Sequence, residues 1–291
     1  MSTFLSINEM LQGAEKSGLP LWQYIQTASA DEAAISPEKS WEMMAQRLDA
    51  MKLADASYVP SDRSHSGLSG GDAEKMRLYA ASGRGLCGSF ADDVLTAALR
   101  MAECNACMHC IVAAPTAGAC GVLPAILLTY ARHYSTPDDD LIKALYISAG
   151  FGAVIAERAS ISGAEAGCQA EIGSASAMAA AALVFLHGGD ERQMAEAMSM
   201  ALKNMMGLVC DPVAGLVEVP CVKRNAGGAM NAMGAAEMAL AGICSRIPPD
   251  EVIDAMAAVG ASIPAALRET GLGGVAASPT GTKFREDFFG K

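Results

Sequence analysis

Nine cysteines occur in this chain, and three of them stand where the sequence breaks rather than where it is periodic. Cys168 lies in GAEAGCQAEIG, and Cys210 and Cys221 open and close CDPVAGLVEVPC. Glycine and proline interrupt both segments, which places these thiols at helix ends, where backbone N–H groups have no intrahelical partner. Three thiolates suffice for three irons of a [4Fe-4S] cubane, which leaves the fourth iron open to a substrate oxygen as a Lewis acid. The negative charge of such a core suits a helix N-terminus. Spacing alone leaves two readings open, one cluster or three separate core cysteines, because Cys-x10-Cys with a third cysteine far upstream is no diagnostic metal pattern.

A second cysteine set, Cys104-Asn-Ala-Cys107-Met-His-Cys110, matches the first three ligands of a ferredoxin run. No nearby cysteine followed by proline completes that run, and the segment extends the helical stretch ADDVLTAALRMAEC. Spacing of three sets these thiols down one helix side, so they are expected to be buried and to act as small hydrophobes. His109 is then a packed or hydrogen-bonded histidine.

Two loops suit an amino-acid carboxylate. Ser69, Gly70, Gly71 and Asp72 precede a helix, as do Thr116, Ala117 and Gly118 after Pro115. Glycine admits close backbone approach and a helix N-terminus attracts carboxylates. Turns and N-caps that only start helices explain the same residues equally well. Lys223 and Asn225 follow Cys221 directly and offer a cation and an orienting amide, against the competing reading of a solvated helix start. Neither loop carries the Gly-x4-Gly-Lys-Ser/Thr pattern that cradles a nucleotide phosphate.

The elements that must position these groups are helical. Residues 1–60 read as two or three amphipathic helices, with Trp41, Met44, Leu48 and Met51 on one face. The polar stretch 60–71 reads as a loop with Asp72 as the cap of the next helix, and a long helix is expected over 90–110. Further helices are expected from Thr116 and over 138–161, 167–187, 190–206, 222–243 and 249–259, with 210–221 irregular. The tail after Arg268 reads as a loop draped on the rest. No strand–helix alternation and no internal repeat appear. The expectation is an all-α fold, one helical domain over 1–291, divided into an N-terminal helical region (1–60) and a cluster-binding core (61–291).

Composition narrows the class. Hydrophobic residues reach 52% with only 5% aromatics, so the core must be built from Ala, Met, Leu and Val, which favours closely packed helices. A net charge of -11 excludes a nucleic-acid partner, whose phosphates demand a basic face. An odd cysteine count without a signal peptide indicates free or metal-bound thiols in a reducing, cytoplasmic setting. The uncharged runs 111–131 and 172–189 approach membrane-span length. Neither has a basic flank or an aromatic belt, so both read as buried helices and no membrane partner is expected.

At these segments the chain resembles a known family. AAPTAGACGVLPA, ISGAEAGCQAEIGSASAMAAA and CDPVAGLVEVPCVKRNA are similar to the alpha chain of bacterial iron–sulfur-dependent L-serine dehydratase. SGGDAEKM and ALRETGLGGVAASPTG fit the same family, and the resemblance runs from about Trp41 to the end. It implies a helical catalytic domain with a [4Fe-4S] cluster on Cys168, Cys210 and Cys221, no pyridoxal phosphate, and conversion of L-serine to pyruvate and ammonia. It also implies that Cys104, Cys107 and Cys110 are not ligands. Single-chain members carry a second domain whose Ser-Ser-His-Thr stretch supplies a catalytic histidine. That stretch is missing here, so a separate beta chain is expected to bring the general base, and His65, whose surroundings do not match, is not assigned that role. An iron–sulfur L-cysteine desulfidase and a non-catalytic cluster-binding subunit are the alternatives.

Overall fold

The computed structural model describes residues 4–290. Among them are thirteen α-helices and no strand: α1 (Ile7–Ser17), α2 (Leu21–Glu32), α3 (Pro37–Ala56), α4 (Asp72–Ala81), α5 (Ser89–Ala106), α6 (Val122–Tyr134), α7 (Asp138–Arg158), α8 (Gly163–Ala166), α9 (Ser174–Leu186), α10 (Glu191–Met205), α11 (Cys221–Leu240), α12 (Pro249–Ser262) and α13 (Pro279–Phe289). The fold is all-α, as the periodicity and composition lead one to expect.

Helix α9 is the axle. Its sequence, SASAMAAAALVFL, is apolar on every side, and α6, α7, α10 and α11 pack around it. A helix without a polar face must be buried all round, and alanine at most positions lets the neighbours come close. The apolar window Gln169–Leu186 is long enough to cross a bilayer, but 83% of it is buried inside this fold, which makes it a core helix. Two polar groups fix its rotation: Ser176 Oγ donates to the Gly228 carbonyl at 2.9 Å and accepts from Asn231 Nδ2 at 2.7 Å. Helix α11 also packs tightly at Gly228 on Ile172, just before α9, and on Val122, at the start of α6: a Cβ there would sit 2.8 Å from Ile172 Cγ2 and 3.1 Å from Val122 Cγ2.

The N-terminal helices lie on the outside of this core. Helices α2 and α3 pack on α7, and α1 reaches α12, where Asp250 accepts from the Ile7 and Asn8 N–H groups at its start.

The structure corrects four local expectations. Helix α5 stops at Ala106, because Met108 turns to a left-handed φ of 64° and the His109 N–H bonds back to the Cys104 carbonyl at 2.9 Å. Cys104 is therefore buried, Cys107 half-buried and Cys110 exposed, and only the first is a core thiol. Asp72 does not cap α4; it is the first helical residue, with Gly71 before it at a φ of 81°. The segment after Thr116 is a short 3-10 turn, Ala117–Ala119, and the α-helix begins only at Val122. The tail is not all loop. It forms a 3-10 turn, Gly274–Ala277, and then α13, started by Pro279 and capped by Ser278, whose side chain accepts from the Gly281 N–H.

Candidate functional site

The first turn of α11 organises the site. Three of its first five residues each hold a different neighbour. Cys221 is its first residue. Lys223 pairs with Asp72 at 2.5 Å, and Asp72 also takes Lys75 at 2.8 Å. Arg224 lies 2.9 Å from Asp211 and donates to the Val209 carbonyl at 2.7 Å. Asn225, 1% exposed, accepts from the Gly121 N–H at 2.8 Å and donates to the carbonyls of Gly118 at 2.8 Å and Cys221 at 3.0 Å. One helical turn thereby ties together the loop before α4, the loop before α6 and the irregular stretch after α10.

Cys168, Cys210 and Cys221 converge here, each buried and each a free thiol. Cys168 precedes a π-helical turn, Gln169–Gly173, that leads into α9. Single π turns inside helices are frequent at functional sites. Cys210 sits in extended backbone, bridged to the tail: its N–H donates to the Leu267 carbonyl at 2.9 Å and its carbonyl accepts from Glu269 N–H at 2.8 Å. Burial pushes the Cys168 thiol up to about 11, with Arg224 pulling the other way. Burial, then the charge of Cys168, raises Cys221 to about 12. Burial and then Cys168, with smaller repulsion from Cys221, raises Cys210 further still. The three thiols thus lie within reach of one another's charge.

These residues fit an iron–sulfur cluster. Three mutually close, buried thiols with a guanidinium beside them and a helix N-terminus behind one of them form the donor set that a cubane with one free iron requires. Among the described residues no three His, Cys, Asp or Glu side chains gather tightly enough for a single metal ion, whereas a cluster takes one thiolate per iron and asks for a wider triangle. Loading must drive off the protons that burial holds on the sulfurs.

The carboxylate loops meet this centre unequally. In the loop before α6, Thr116 Oγ1 is buried without a hydrogen-bond partner, and Gly118 lies so close to Glu171 that a Cβ would come within 3.1 Å of Oε1. In the loop before α4, the N–H groups of Asp72 and Ala73 are already taken by Glu103, at 2.7 and 3.2 Å. Ser64 and Ser66 anchor that loop on the buried Glu218 at 2.6 and 2.8 Å. Ser69 Oγ remains buried and unpartnered, and Gly70 has no space for a side chain, with the Asp62 carbonyl 2.2 Å from its Cβ position.

Three residues of this centre escape a reading of the sequence. Arg224, rather than Lys223, is the cation beside the thiols. Glu103 fills the N-terminus of α4 from α5. Glu171 is a carboxyl in the wall of the centre, its Oε2 2.7 Å and the Cys210 Sγ 3.0 Å from where a Cβ of Gly163 would be. Burial raises the Glu171 pKa, the Thr116 hydroxyl partly offsets this, and Glu269 adds repulsion. Thr116 stands near enough to favour the carboxylate without closing a well-directed hydrogen bond. Three of the four histidines are hydrogen-bonded elsewhere, His109 with Asp62, His133 with Asp93 and His187 with Tyr130, and the exposed His65 meets the Phe288 ring edge-on.

The family model described as "Serine dehydratase alpha chain" matches residues 16–276. The chain is 47% identical over 287 residues to a probable L-serine dehydratase alpha chain of Bacillus subtilis (strain 168), covering 99% of this chain and 96% of that one. It is 41% identical over 281 residues to the L-serine dehydratase alpha chain of Peptoniphilus asaccharolyticus, covering 96% of each. L-serine dehydratase 1 of Escherichia coli (strain K12) is 44% identical over 181 residues, which cover 62% of this chain and 40% of that relative. This chain belongs to the serine dehydratase alpha-chain family and is an enzyme of the L-serine dehydratase kind.

Proposed function

We propose that this chain is the cluster-holding subunit of an L-serine ammonia-lyase that forms pyruvate and ammonia. The observation that carries the reading is the convergence of three buried free thiols around the first turn of α11, in a chain of this family. Cys168, Cys210 and Cys221 would hold a [4Fe-4S] cluster, which supplies Lewis acidity toward the β-hydroxyl when bound. The Thr116–Gly118 loop, with its unpartnered Thr116 hydroxyl, receives the substrate carboxylate, and Asn225 holds that loop in register. Ser69 lines the other side, and Lys223 with Asp72 braces it. Loss of water from L-serine leaves an aminoacrylate, whose imine tautomer hydrolyses to pyruvate and ammonia. No pyridoxal phosphate enters this scheme.

The α-proton needs a base placed within hydrogen-bond reach. Three of the four histidines are hydrogen-bonded to other residues, and His65 stands exposed beside Phe288, which supports a base from a separate beta chain. The longer E. coli relative, of which this chain matches 40%, supports the same division of labour. The test is anaerobic assay of the reconstituted chain with a beta chain. Pyruvate from L-serine exceeding sulfide from L-cysteine supports the dehydratase. The reverse preference would make it a desulfidase, and no product from either would leave a non-catalytic subunit.

A further inference from the structure

We infer that Glu171 receives the α-ammonium group of the substrate and so makes the site select amino acids over the corresponding carboxylic acids; this rests on the serine dehydratase reading above. L-Serine arrives as a zwitterion, so a pocket that holds its carboxylate must also face a cation. A carboxylate withdrawn from water is costly unless an opposite charge or good donors meet it. Glu171 has no ion-pair partner among the described residues. Each nearby cation is committed: Arg224 to Asp211 and the Val209 carbonyl, Lys223 to Asp72, and Arg268 to the carbonyls of Gly260, Ala261 and Ile263. The Glu269 carboxylate lies close enough to repel Glu171 rather than to satisfy it.

The geometry around Glu171 is that of a receptor for a small cation. Its oxygens face two glycines, Gly118 on one side and Gly163 on the other, and a Cβ at either would come within 3.1 or 2.7 Å of the carboxylate. Glycine at both positions keeps a side chain off the carboxylate. An ammonium carries three donors; Glu171 supplies a carboxylate for them, and Glu269, close enough for its charge to be felt there, adds to the negative field. Gly118 also belongs to the loop assigned to the substrate carboxylate, so the two charges of the amino acid would be read by adjacent groups.

The experiment uses the reconstituted holoenzyme with its beta chain, under anaerobic conditions. On the unmodified enzyme, L-alanine should inhibit with a Ki about tenfold or more below that of propanoate, the same molecule without its ammonium. In Glu171→Gln the KM for L-serine should rise by about tenfold or more, while the Ki of propanoate stays within about twofold and the iron content is unchanged. Glu171→Asp should fall between. Equal inhibition of the unmodified enzyme by L-alanine and propanoate overturns the inference without any variant. So does an unchanged KM in Glu171→Gln, or a parallel loss of L-serine and propanoate binding, which would mark a merely structural residue. If Glu171→Gln fails to hold iron, the unmodified enzyme and Glu171→Asp decide the matter. An unmodified holoenzyme that makes no pyruvate overturns the dehydratase reading itself, and the inference with it.

Discussion

Asn225 uses both ends of its amide to hold the loop before α6, accepting from the Gly121 N–H and donating to the Gly118 carbonyl. Removing it strands a buried N–H and two carbonyls. Asn225→Ala should therefore lower stability by about 2–3 kcal/mol, read by urea denaturation, and depress L-serine turnover with it. A loss below about 0.5 kcal/mol would show that the loop is held some other way. At this scale the sequence was only partly legible. The three cysteines stand out as residues in breaks, but their separations say nothing of their meeting, because the meeting is made by α9 and α11 packing side by side. Glu103 and Glu171 were hidden for a related reason. Each sits in a stretch that reads as ordinary helix, and only the tertiary fold reveals that one fills the start of α4 and the other faces the thiols. Lys223 was the more visible cation, yet the helical twist turns it to Asp72 and points Arg224 inward.

The helices were the most legible level, since three- and four-residue spacing survives wherever a helix packs on a core. Their ends were less so. Ala106 ends α5 because the backbone after Cys107 turns left-handed at Met108, which no propensity of that run announces. The tail reads as loop from its glycines, yet Ser278 and Pro279 start a helix within it. Two substitutions separate the forces that build these elements. Asp190→Ala removes a complete capping box at the start of α10, in which Asp190 accepts from Gln193 N–H at 2.8 Å and Gln193 reaches back to the Asp190 N–H at 3.0 Å. It should cost about 1 kcal/mol. Gly228→Val drives a side chain into Ile172 before α9 and Val122 at the start of α6 and should cost more, about 2–3 kcal/mol. Thermal or urea unfolding of the two variants in parallel checks the order, and a harmless Gly228→Val would show that α11 does not pack tightly at Gly228.

The whole molecule is a core of small side chains with thiols buried inside it, and its stability should depend on pH through Cys104 and Cys120, which lie outside the proposed cluster site. Burial pushes Cys120 up to about 12 and Cys104 up to about 11, from an ordinary value of 9.0. The folded chain thus keeps protons that the unfolded chain releases. This stabilisation is complete below pH 9 and is lost as pH rises toward 11–12. Cys120→Ala should therefore narrow the gap in stability between pH 8 and about pH 10.5 relative to the unmodified chain, as denaturant midpoints would show. An identical pH dependence in both would mean that Cys120 is not protonated and buried as described. The central claim, that Cys168, Cys210 and Cys221 together hold a catalytic iron–sulfur cluster, is tested most directly by iron content. Anaerobic reconstitution with iron and sulfide should load the unmodified chain with close to one cluster, and Cys168→Ser, Cys210→Ser and Cys221→Ser should each lose most of that iron and the pyruvate formed from L-serine with it. A Cys168→Ser chain that keeps full iron and full turnover would contradict the account.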